Sequence, residues 1–273
     1  MTLRLAGVGY RYAGAREPSL LDVDLELPDG TVLGVAGASE AGKTTLCLVA
    51  SGLAPRVVGG RIRGHITLDG EDVDPWPMHR MAGQVAIGFQ NPATQLSGVA
   101  STVFEEVAFG PMNLAVPLPD VAARTWKALA ALRIEGLAER DPARLSGGQQ
   151  QLVAIAGLLA MRPRHLVLDE PTAQLDPAGT RLVADALAAL AGAGTSILIT
   201  EQKTDLLAAI CDRVVVLSEG RVAFAGDADR VLSDPRLVEL GIAPPAAIRI
   251  RRAARAAGLA AAELSRLVAA LDR

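Results

Sequence analysis

Two spacings of apolar residues divide the chain into predicted strands and helices. Apolar and acidic side chains alternate without a break over residues 21–27, and apolar positions alternate again over residues 62–68, so each segment is predicted to be a half-buried strand. Mostly apolar runs at residues 31–36 and 85–89 predict buried strands, and residues 196–200 are predicted to form a further strand.

Helical spacing dominates residues 101–162. Thr102–Glu105 and Ser146–Gln149 both have the sequence of a capping box, in which two side chains satisfy free N–H groups at the start of a helix. Asp120 is predicted to cap a further helix between them. The apolar positions of that helix are Val121, Trp126, Leu129 and Leu132.

Strands and helices alternate after residue 162, and a predicted hairpin of residues 213–217 and 222–225 turns at Glu219–Gly220. This alternation predicts an α/β fold around a mostly parallel sheet. Residues 2–36 are expected to contribute antiparallel strands that lead into the sheet.

The composition excludes several classes of protein. The chain has 273 residues and is 50% hydrophobic, yet no run of 18 or more apolar residues predicts a membrane span, and no signal peptide is expected. A net charge of −3 argues against a nucleic-acid surface spread over the protein, so no nucleic-acid partner is expected. Cys47 and Cys211 are isolated, which favours small buried thiols in a reducing compartment over metal ligands.

The strongest chemical signal is a phosphate-binding loop, because residues 37–44 match G-x-x-x-x-G-K-[ST] at every position between a predicted strand and helix. Two glycines allow a tight turn whose N–H groups face phosphate oxygens, and the lysine adds a positive charge. The hydroxyl of Thr44 is expected to ligate Mg²⁺. The predicted binding residues are Gly37, Ala38, Ser39, Glu40, Ala41, Gly42, Lys43, Thr44 and Thr45.

A further buried strand, residues 165–170, ends in two carboxylates. Asp169 is placed to hold Mg²⁺, as in the Walker B arrangement, and Glu170 to accept a proton from an attacking water. Gln90 follows another buried strand, at the edge where α/β proteins bind ligands. Tyr10 and Tyr12 stand out among only 3% aromatic residues, and the residues alone leave open whether they stack on a base or pack within a strand.

Together these segments resemble the nucleotide-binding subunit of ATP-binding cassette (ABC) transporters over nearly the whole chain. Leu145–Gln149 is similar to the signature motif of that family and lies one helix before Asp169. Ala173–Asp176 resembles the D-loop, Gln90 the Q-loop glutamine, and Tyr12 the aromatic residue that stacks on adenine.

The resemblance implies a P-loop NTPase core with an antiparallel β subdomain, a helical subdomain at about residues 91–163 and a helical tail at 241–273. The ATPase domain would span residues 1–240. It adds Tyr12, Ser146, Gly147, Gly148, Gln149 and Asp176 to the residues expected to bind ATP. It assigns Mg²⁺ to Thr44, Gln90 and Asp169, and catalysis to Glu170, Gln202 and Gln90.

Three stretches resemble the energy-coupling factor branch of the family, the ATPases of vitamin and metal-ion uptake. These are residues 88–92, 103–111 and 154–157, and the segment from Leu240 with its two prolines is similar as well. The resemblance implies a dimer of two ATPase subunits, which are identical or different. Two ATP molecules would lie between the subunits, each held by the phosphate loop of one subunit and the signature helix of the other. Integral membrane subunits would bind near Gln90, placing the protein at the cytoplasmic face of a bacterial cell membrane.

The chain departs from the family pattern at three positions. Gln202 stands where the family usually has a switch histidine; it can donate a hydrogen bond but carries no charge. Glu40 stands where glycine is frequent, and its carboxylate is expected to face solvent, away from phosphates. Leu152 replaces a common arginine, for which the residues give no physical account.

These departures keep other functions open. The chain could be the catalytically weak member of an asymmetric pair, or a soluble ABC protein of DNA repair or translation. The last of these usually carries long insertions or two fused cassettes. In the tail, Leu264, Leu267, Val268 and Leu271 have helical spacing. The arginines at 249, 251, 252 and 255 are expected on a solvated face rather than against lipid or a partner.

Overall fold

The computed structural model describes residues 2–256, and the side chains of residues 2–254. The predicted helical spacing of residues 264–271 lies outside the described residues. The strands are β1 (Leu3–Arg11), β2 (Leu20–Leu27), β3 (Val32–Ala36), β4 (Arg61–Leu68), β5 (Glu71–Asp72), β6 (Val85–Gly88), β7 (His165–Asp169), β8 (Ser196–Glu201), β9 (Arg213–Ser218) and β10 (Arg221–Asp227). The helices are α1 (Lys43–Ala50), α2 (Leu53–Arg56), α3 (Met78–Ala82), α4 (Val103–Asn113), α5 (Leu118–Ala131), α6 (Gly147–Met161), α7 (Pro177–Gly192), α8 (Thr204–Ile210), α9 (Ala228–Leu232), α10 (Arg236–Glu239) and α11 (Ala246–Ala256).

The main sheet confirms the predicted α/β fold. Its strand order is β10-β9-β3-β8-β7-β6, and every neighbouring pair is parallel except the β9–β10 hairpin. β3, β7 and β8 are buried along their whole length, as their apolar runs predict. The pairing of Ala36 with Glu201 and of Thr200 with Asp169 aligns the carboxyl ends of these three strands.

The second sheet is antiparallel, with the order β2-β1-β4-β5. β2 alternates buried and exposed residues over most of its length, which confirms the strand predicted from residues 21–27. The expectation that residues 2–36 are antiparallel holds for β1 and β2 and is wrong for β3. That strand is apolar at every position, so it belongs in the interior of the parallel sheet.

Helices α4, α5 and α6 pack together beside the main sheet. Both predicted capping boxes are present, at Thr102 with Glu105 and at Ser146 with Gln149. The prediction that Asp120 caps α5 is wrong, because the helix begins two residues earlier and Asp120 lies in its first turn. Its carboxylate there still suits the positive end of the helix dipole.

Trp126 is not a core residue, although its position in the helical pattern predicted one. Its side chain is 46% exposed, and its ring lies 5.2 Å from that of Phe104, on the flank of α4. The other apolar positions of α5, Val121, Leu129 and Leu132, are buried as predicted.

The predicted hairpin is confirmed, and its turn at Glu219–Gly220 joins the two sheets. The Gly220 N–H donates to the Ala41 carbonyl at 3.0 Å, and the Gly220 carbonyl accepts from the Leu21 N–H at 2.8 Å. Gly220 has a φ of 73°, and a Cβ there would lie 2.6 Å from the Ser19 carbonyl oxygen. The turn therefore requires glycine and lies between β2 and the segment that follows β3.

The segment after α10 folds back toward the carboxyl ends of the parallel strands. The Thr204 hydroxyl donates to the Ala243 carbonyl at 2.7 Å, and the Ala246 N–H donates to Asp205 Oδ1 at 2.7 Å. Arg249, Arg251 and Arg252 on α11 are exposed, as expected, and Arg252 also donates to the Ser233 carbonyl at 2.8 Å, while the side chain of Arg255 lies outside the described residues. Within the described residues, no helix has the length and apolar character needed to cross a membrane.

Candidate functional site

The phosphate loop connects the end of β3 to the start of α1. Gly42 precedes the helix with a φ of 101°, and a Cβ at this position would lie 2.8 Å from the Ser19 carbonyl oxygen. A Cβ on Gly37 would lie 2.9 Å from the Leu217 carbonyl oxygen. Both glycines are therefore required by neighbouring backbone, and the loop leads directly into a helix N-terminus, a position that favours anions.

Lys43 is buried at the first turn of α1, with 5% of its side chain exposed. Its ammonium group donates to the carbonyl oxygens of Gly37 at 3.0 Å and Ala38 at 2.9 Å. It also lies 3.1 Å from Oε1 of Glu170. The loop thus curls around the cation that the sequence assigns to phosphate binding.

Glu170 follows β7 and is held from two sides. Gln90 Nε2 donates to Glu170 Oε2 at 2.9 Å, while Lys43 pairs with the other carboxylate oxygen. The Glu170 N–H donates to the Thr200 carbonyl at 3.0 Å. The residue has a φ of 45°, a left-handed conformation that costs a non-glycine residue about 1–2 kcal/mol. Such conformations cluster at functional sites, where surrounding contacts hold them.

These groups border one open cavity of about 690 Å³ at the carboxyl edge of the main sheet. Four separate segments of the predicted site meet there: the phosphate loop, Gln90, Glu170 and Gln202. The lining residues are Glu17, Pro18, Ser19, Ser39, Glu40, Gly42, Lys43, Thr44, Thr45, Gln90, Glu170, Gln202, Glu219 and Gly220. Its size, its N–H groups and its cation suit a nucleotide's phosphates.

The oxygen groups near the cavity suit Mg²⁺. Thr44 is exposed on the first turn of α1, and Asp169 is buried at the end of β7 with its Oδ1 accepting from the Thr200 hydroxyl at 2.8 Å. Within the described residues no three His, Cys, Asp or Glu side chains form a metal cluster. Mg²⁺ is usually held by one or two protein oxygens together with water and substrate phosphates, and Thr44 and Asp169 offer oxygens of this kind.

Tyr10 and Tyr12 have different environments. Tyr10 is buried and is a strand-packing residue, while Tyr12 is half-buried and lies edge-on to it, with the ring centroids 4.9 Å apart. The hydroxyl groups of Tyr12 and Thr45 lie 3.1 Å apart, so Tyr12 stands beside the first turn of α1. Its predicted contact with adenine stays a prediction.

Two of the three residues that depart from the family pattern, Glu40 and Gln202, line the cavity. Gln202 Nε2 donates to Ser39 Oγ at 2.9 Å, which places the glutamine beside the phosphate loop. Glu40 is exposed, as expected from the repulsion between a carboxylate and phosphates. Leu152 is partly buried against the main core.

The predicted signature residues lie apart from this cavity. Ser146 caps α6 and, like Gly147, is exposed, while Gly148 and Gln149 are half-buried; none of the four lines the cavity. A Cβ on Gly147 would lie 2.7 Å from Gln174 Oε1. Asp176 caps α7, with its Oδ1 accepting from the Gly179 N–H at 2.7 Å. The N-terminus of α6 therefore faces outward, where another molecule can reach it.

The structure adds one residue that the sequence motifs do not single out. Glu201, at the end of β8, is 2% exposed and accepts hydrogen bonds from the Thr172 N–H and hydroxyl. Burial raises the pKa of Glu201 to about 7, Glu170 adds to the increase, and the Thr172 hydrogen bonds and Lys203 oppose it. The signal available in the sequence was a carboxylate directly after the predicted strand of residues 196–200.

Comparison with known proteins identifies the family. Residues 20–173 match the family model described as ABC transporter. A cobalt import ATP-binding protein, CbiO of Rhodobacter capsulatus, is 42% identical over 245 residues, 88% of this chain and 84% of that protein. An energy-coupling factor transporter ATP-binding protein, EcfA of Methanosarcina acetivorans, is 35% identical over 261 residues, 94% of this chain and 91% of that protein.

A solved structure agrees with these matches. CbiO1 of Clostridium perfringens, described as part of the ABC transporter complex cbiONQ, is 30% identical and superposes with a TM-score of 0.73 over 87% of this chain and 92% of that one. Two putative ABC transporter ATP-binding proteins of Methanosarcina are longer, and this chain spans 41% and 42% of their lengths.

Lys43→Ala is expected to weaken binding of Mg²⁺–ATP by about 10²-fold, because charge-assisted hydrogen bonds of about 1.5–3 kcal/mol each are lost. Equilibrium titration with nucleotide measures the effect. Lys127→Ala, which removes an exposed lysine outside the cavity, is the matched control and should bind as the wild type does. Equal affinities in the two variants would remove Lys43 from the phosphate site.

The raised pKa of Glu201 makes the free energy of unfolding depend on pH. Between the pKa of an unfolded glutamate, about 4.3, and the folded value of about 7, the folded state holds a proton that the unfolded state has lost. The stabilising contribution of Glu201 to the free energy of unfolding is therefore fully present below about pH 4 and is lost as the pH rises through 7. Denaturant unfolding at pH 5 and 8 should show a loss of about 1–3 kcal/mol in the wild type beyond that in Glu201→Gln. If the free energy of unfolding changed equally in the wild type and in Glu201→Gln between pH 5 and 8, the raised pKa of Glu201 would be contradicted.

Proposed function

This chain belongs to the ABC transporter family, and we propose that it is the ATP-hydrolysing subunit of a membrane importer of the energy-coupling factor type. The observation that carries the proposal is the convergence of Lys43, Gln90 and Glu170 through hydrogen bonds at one cavity. The importer assignment is supported by the names of two relatives, a cobalt import ATP-binding protein and an energy-coupling factor transporter ATP-binding protein.

In this proposal the phosphate loop and Lys43 bind the β- and γ-phosphates of ATP. Thr44, Asp169 and Gln90 hold Mg²⁺, which when bound offsets the negative charge of the phosphates. Because Lys43 pairs with Glu170 at 3.1 Å, phosphates that attract the ammonium group compete with this ion pair. Glu170, still held by Gln90, is then available to accept a proton from the attacking water.

A second cassette is needed to complete the site. Ser146–Gln149 opens α6 with two glycines, the first exposed and the second half-buried, yet these residues do not line the cavity of their own chain. A helix N-terminus favours the negative charge of a γ-phosphate presented from outside. We therefore propose a head-to-tail dimer, with ATP between the phosphate loop of one subunit and the signature helix of the other.

Exposed apolar residues indicate where membrane subunits bind. They follow Gln90 in the chain and lie before, on and just after α4; they are Val99, Phe109, Met112, Leu114 and Leu118. Exposed apolar residues grouped in this way are typical of protein interaction sites. We propose that a partner there also contacts the segment that follows Gln90, and since Gln90 contacts Glu170 directly, docking and hydrolysis would be linked through this segment. We therefore propose that the protein works at the cytoplasmic face of a membrane.

A second candidate function is supported by Gln202. It occupies the position of the switch histidine and donates to Ser39 rather than carrying a charge. The loss of about 1–1.5 kcal/mol in a charge-assisted contact would slow turnover by about five- to tenfold. The chain would then be the slower ATP-binding member of an asymmetric pair.

Hydrolysis measured over a series of protein concentrations tests the leading proposal. If the chain forms its own dimer, the rate should rise more steeply than linearly with protein concentration. Glu170→Gln should still bind ATP but hydrolyse it about 10²–10⁴-fold more slowly, since a general base contributes that much. A linear rate that persists in Glu170→Gln would contradict both the dimer and the base, whereas ATP binding without turnover would favour the asymmetric pair.

Gln202→His is expected to raise kcat by up to about tenfold, because a histidine can offer a charged contact to the γ-phosphate. Steady-state hydrolysis by the two proteins under identical conditions measures the change. Gln84→His, which replaces a half-buried glutamine outside the cavity, serves as control. If the Gln202→His rate does not exceed that of the wild type, the glutamine is not what limits turnover.

A further inference from the structure

The inference concerns Glu201, the last residue of β8. Its Oε1 atom accepts hydrogen bonds from both the N–H and the hydroxyl of Thr172, at 3.0 and 2.7 Å. Both residues are buried. Burying a carboxyl group is costly unless hydrogen bonds satisfy it, so an apolar residue would fill this space at lower cost. We infer that glutamate is present at this position because of its hydrogen bonds with Thr172.

Glu201 is fixed to the phosphate-loop side of the site by its backbone. It pairs in register with Ala36, the residue directly before the phosphate loop. The next residue, Gln202, donates to Ser39 within that loop. The position of Glu201 thus follows that of the phosphate loop.

Thr172 lies on the opposite side, in the chain segment that leaves Glu170. Two successive turns form there, in which the Ala173 N–H donates to the Glu170 carbonyl at 3.2 Å and the Leu175 N–H to the Thr172 carbonyl at 3.1 Å. The same segment brings Gln174 against the start of the signature helix. Thr172 is therefore the point at which this loop is attached to β8.

The backbone conformation of Glu170 depends on contacts made by the chain before it and after it. Its φ of 45° is unfavourable for a residue with a side chain and persists only where neighbouring contacts impose it. Before the residue, β7 is paired to β8, and the Glu170 N–H bonds to the Thr200 carbonyl. After the residue, the bond between Thr172 and Glu201 attaches the chain to the same strand.

We propose that Glu201 is a positioning residue, which holds Glu170 and the loop of residues 171–176 in place relative to the phosphate loop by binding Thr172. This rests on the proposed ATPase function. Glu201 itself contacts neither ATP nor water in this role. Because a displacement of about 1 Å in a reacting group can lower a rate by 10²-fold, the bond should affect the catalytic step far more than ATP binding.

The test uses the full chain under the conditions in which the wild type hydrolyses ATP, with kcat, KM, the Kd for ATP and the melting temperature measured for each variant. Glu201→Ala is expected to lower kcat by about 10–10²-fold and Thr172→Val by about tenfold, with Kd within about threefold of wild type. Thr172→Ser restores the hydroxyl and should keep kcat within about twofold. The double variant should be no slower than the slower single variant, as for two residues that act through one bond.

Thr195→Val is the matched control. Thr195 is also buried, directly precedes β8, and donates its hydroxyl to the Pro163 carbonyl at 3.0 Å, at the end of the strand away from the cavity. Its loss should lower the melting temperature as much as Thr172→Val does, without a change in kcat. If Thr172 contributed to stability alone, Thr172→Val and Thr195→Val would have the same effect on the melting temperature and on kcat.

The outcomes separate this inference from the proposed function. Unchanged kcat in Glu201→Ala and Thr172→Val, losses that multiply in the double variant, or Kd values that weaken in step with kcat would each overturn the positioning role while wild-type hydrolysis stands. If Glu201→Ala does not fold, the Thr172→Val and Thr172→Ser pair decides. If the wild type binds ATP but does not hydrolyse it, either alone or with partner subunits, both the proposed function and the positioning role are overturned.

Discussion

The ion pair between Lys43 and Glu170 is the interaction on which the rest of the site depends. Both side chains are largely withdrawn from water, and buried charges must be balanced by opposite charges and hydrogen bonds. Lys43 comes from the start of α1 and Glu170 from the end of β7, so the pair requires β3 and β7 to end at the same edge of the sheet. β8 lies between them and provides that alignment through its pairing with both strands.

The site also depends on backbone conformations that most of the fold avoids. Glu40, Gly42 and Glu170 all have positive φ values, of 65°, 101° and 45°. Two of these precede α1 and turn the chain around the lysine, while the third directs a carboxylate at it. Glycine adopts such a φ readily, whereas the two glutamates do so at a cost. The surrounding packing therefore determines the geometry of the site, and buried contacts such as that of Glu201 with Thr172 become part of the catalytic arrangement.

The sequence allowed the fold and the nucleotide site to be predicted where the signal is local. The phosphate loop, both capping boxes and the apolar strands depend on residues a few positions apart, and all are found where the spacing places them. Contacts between distant segments were not predictable in this way. Glu201 meets Thr172 only because β7 and β8 are neighbours. Trp126 fits the helical pattern of α5, yet its ring packs beside that of Phe104, on the flank of α4.

The turn between β9 and β10 has a consequence for how sequences of this kind can vary. Hairpin tips are ordinarily the places where chains gain or lose residues, since they face solvent and contact little else. Here the tip is hydrogen-bonded to the phosphate loop on one side and to β2 on the other. An added or deleted residue would break both attachments at once. The length of this turn should thus be as invariant among related chains as the glycines of the phosphate loop, although no atom of it needs to touch a nucleotide.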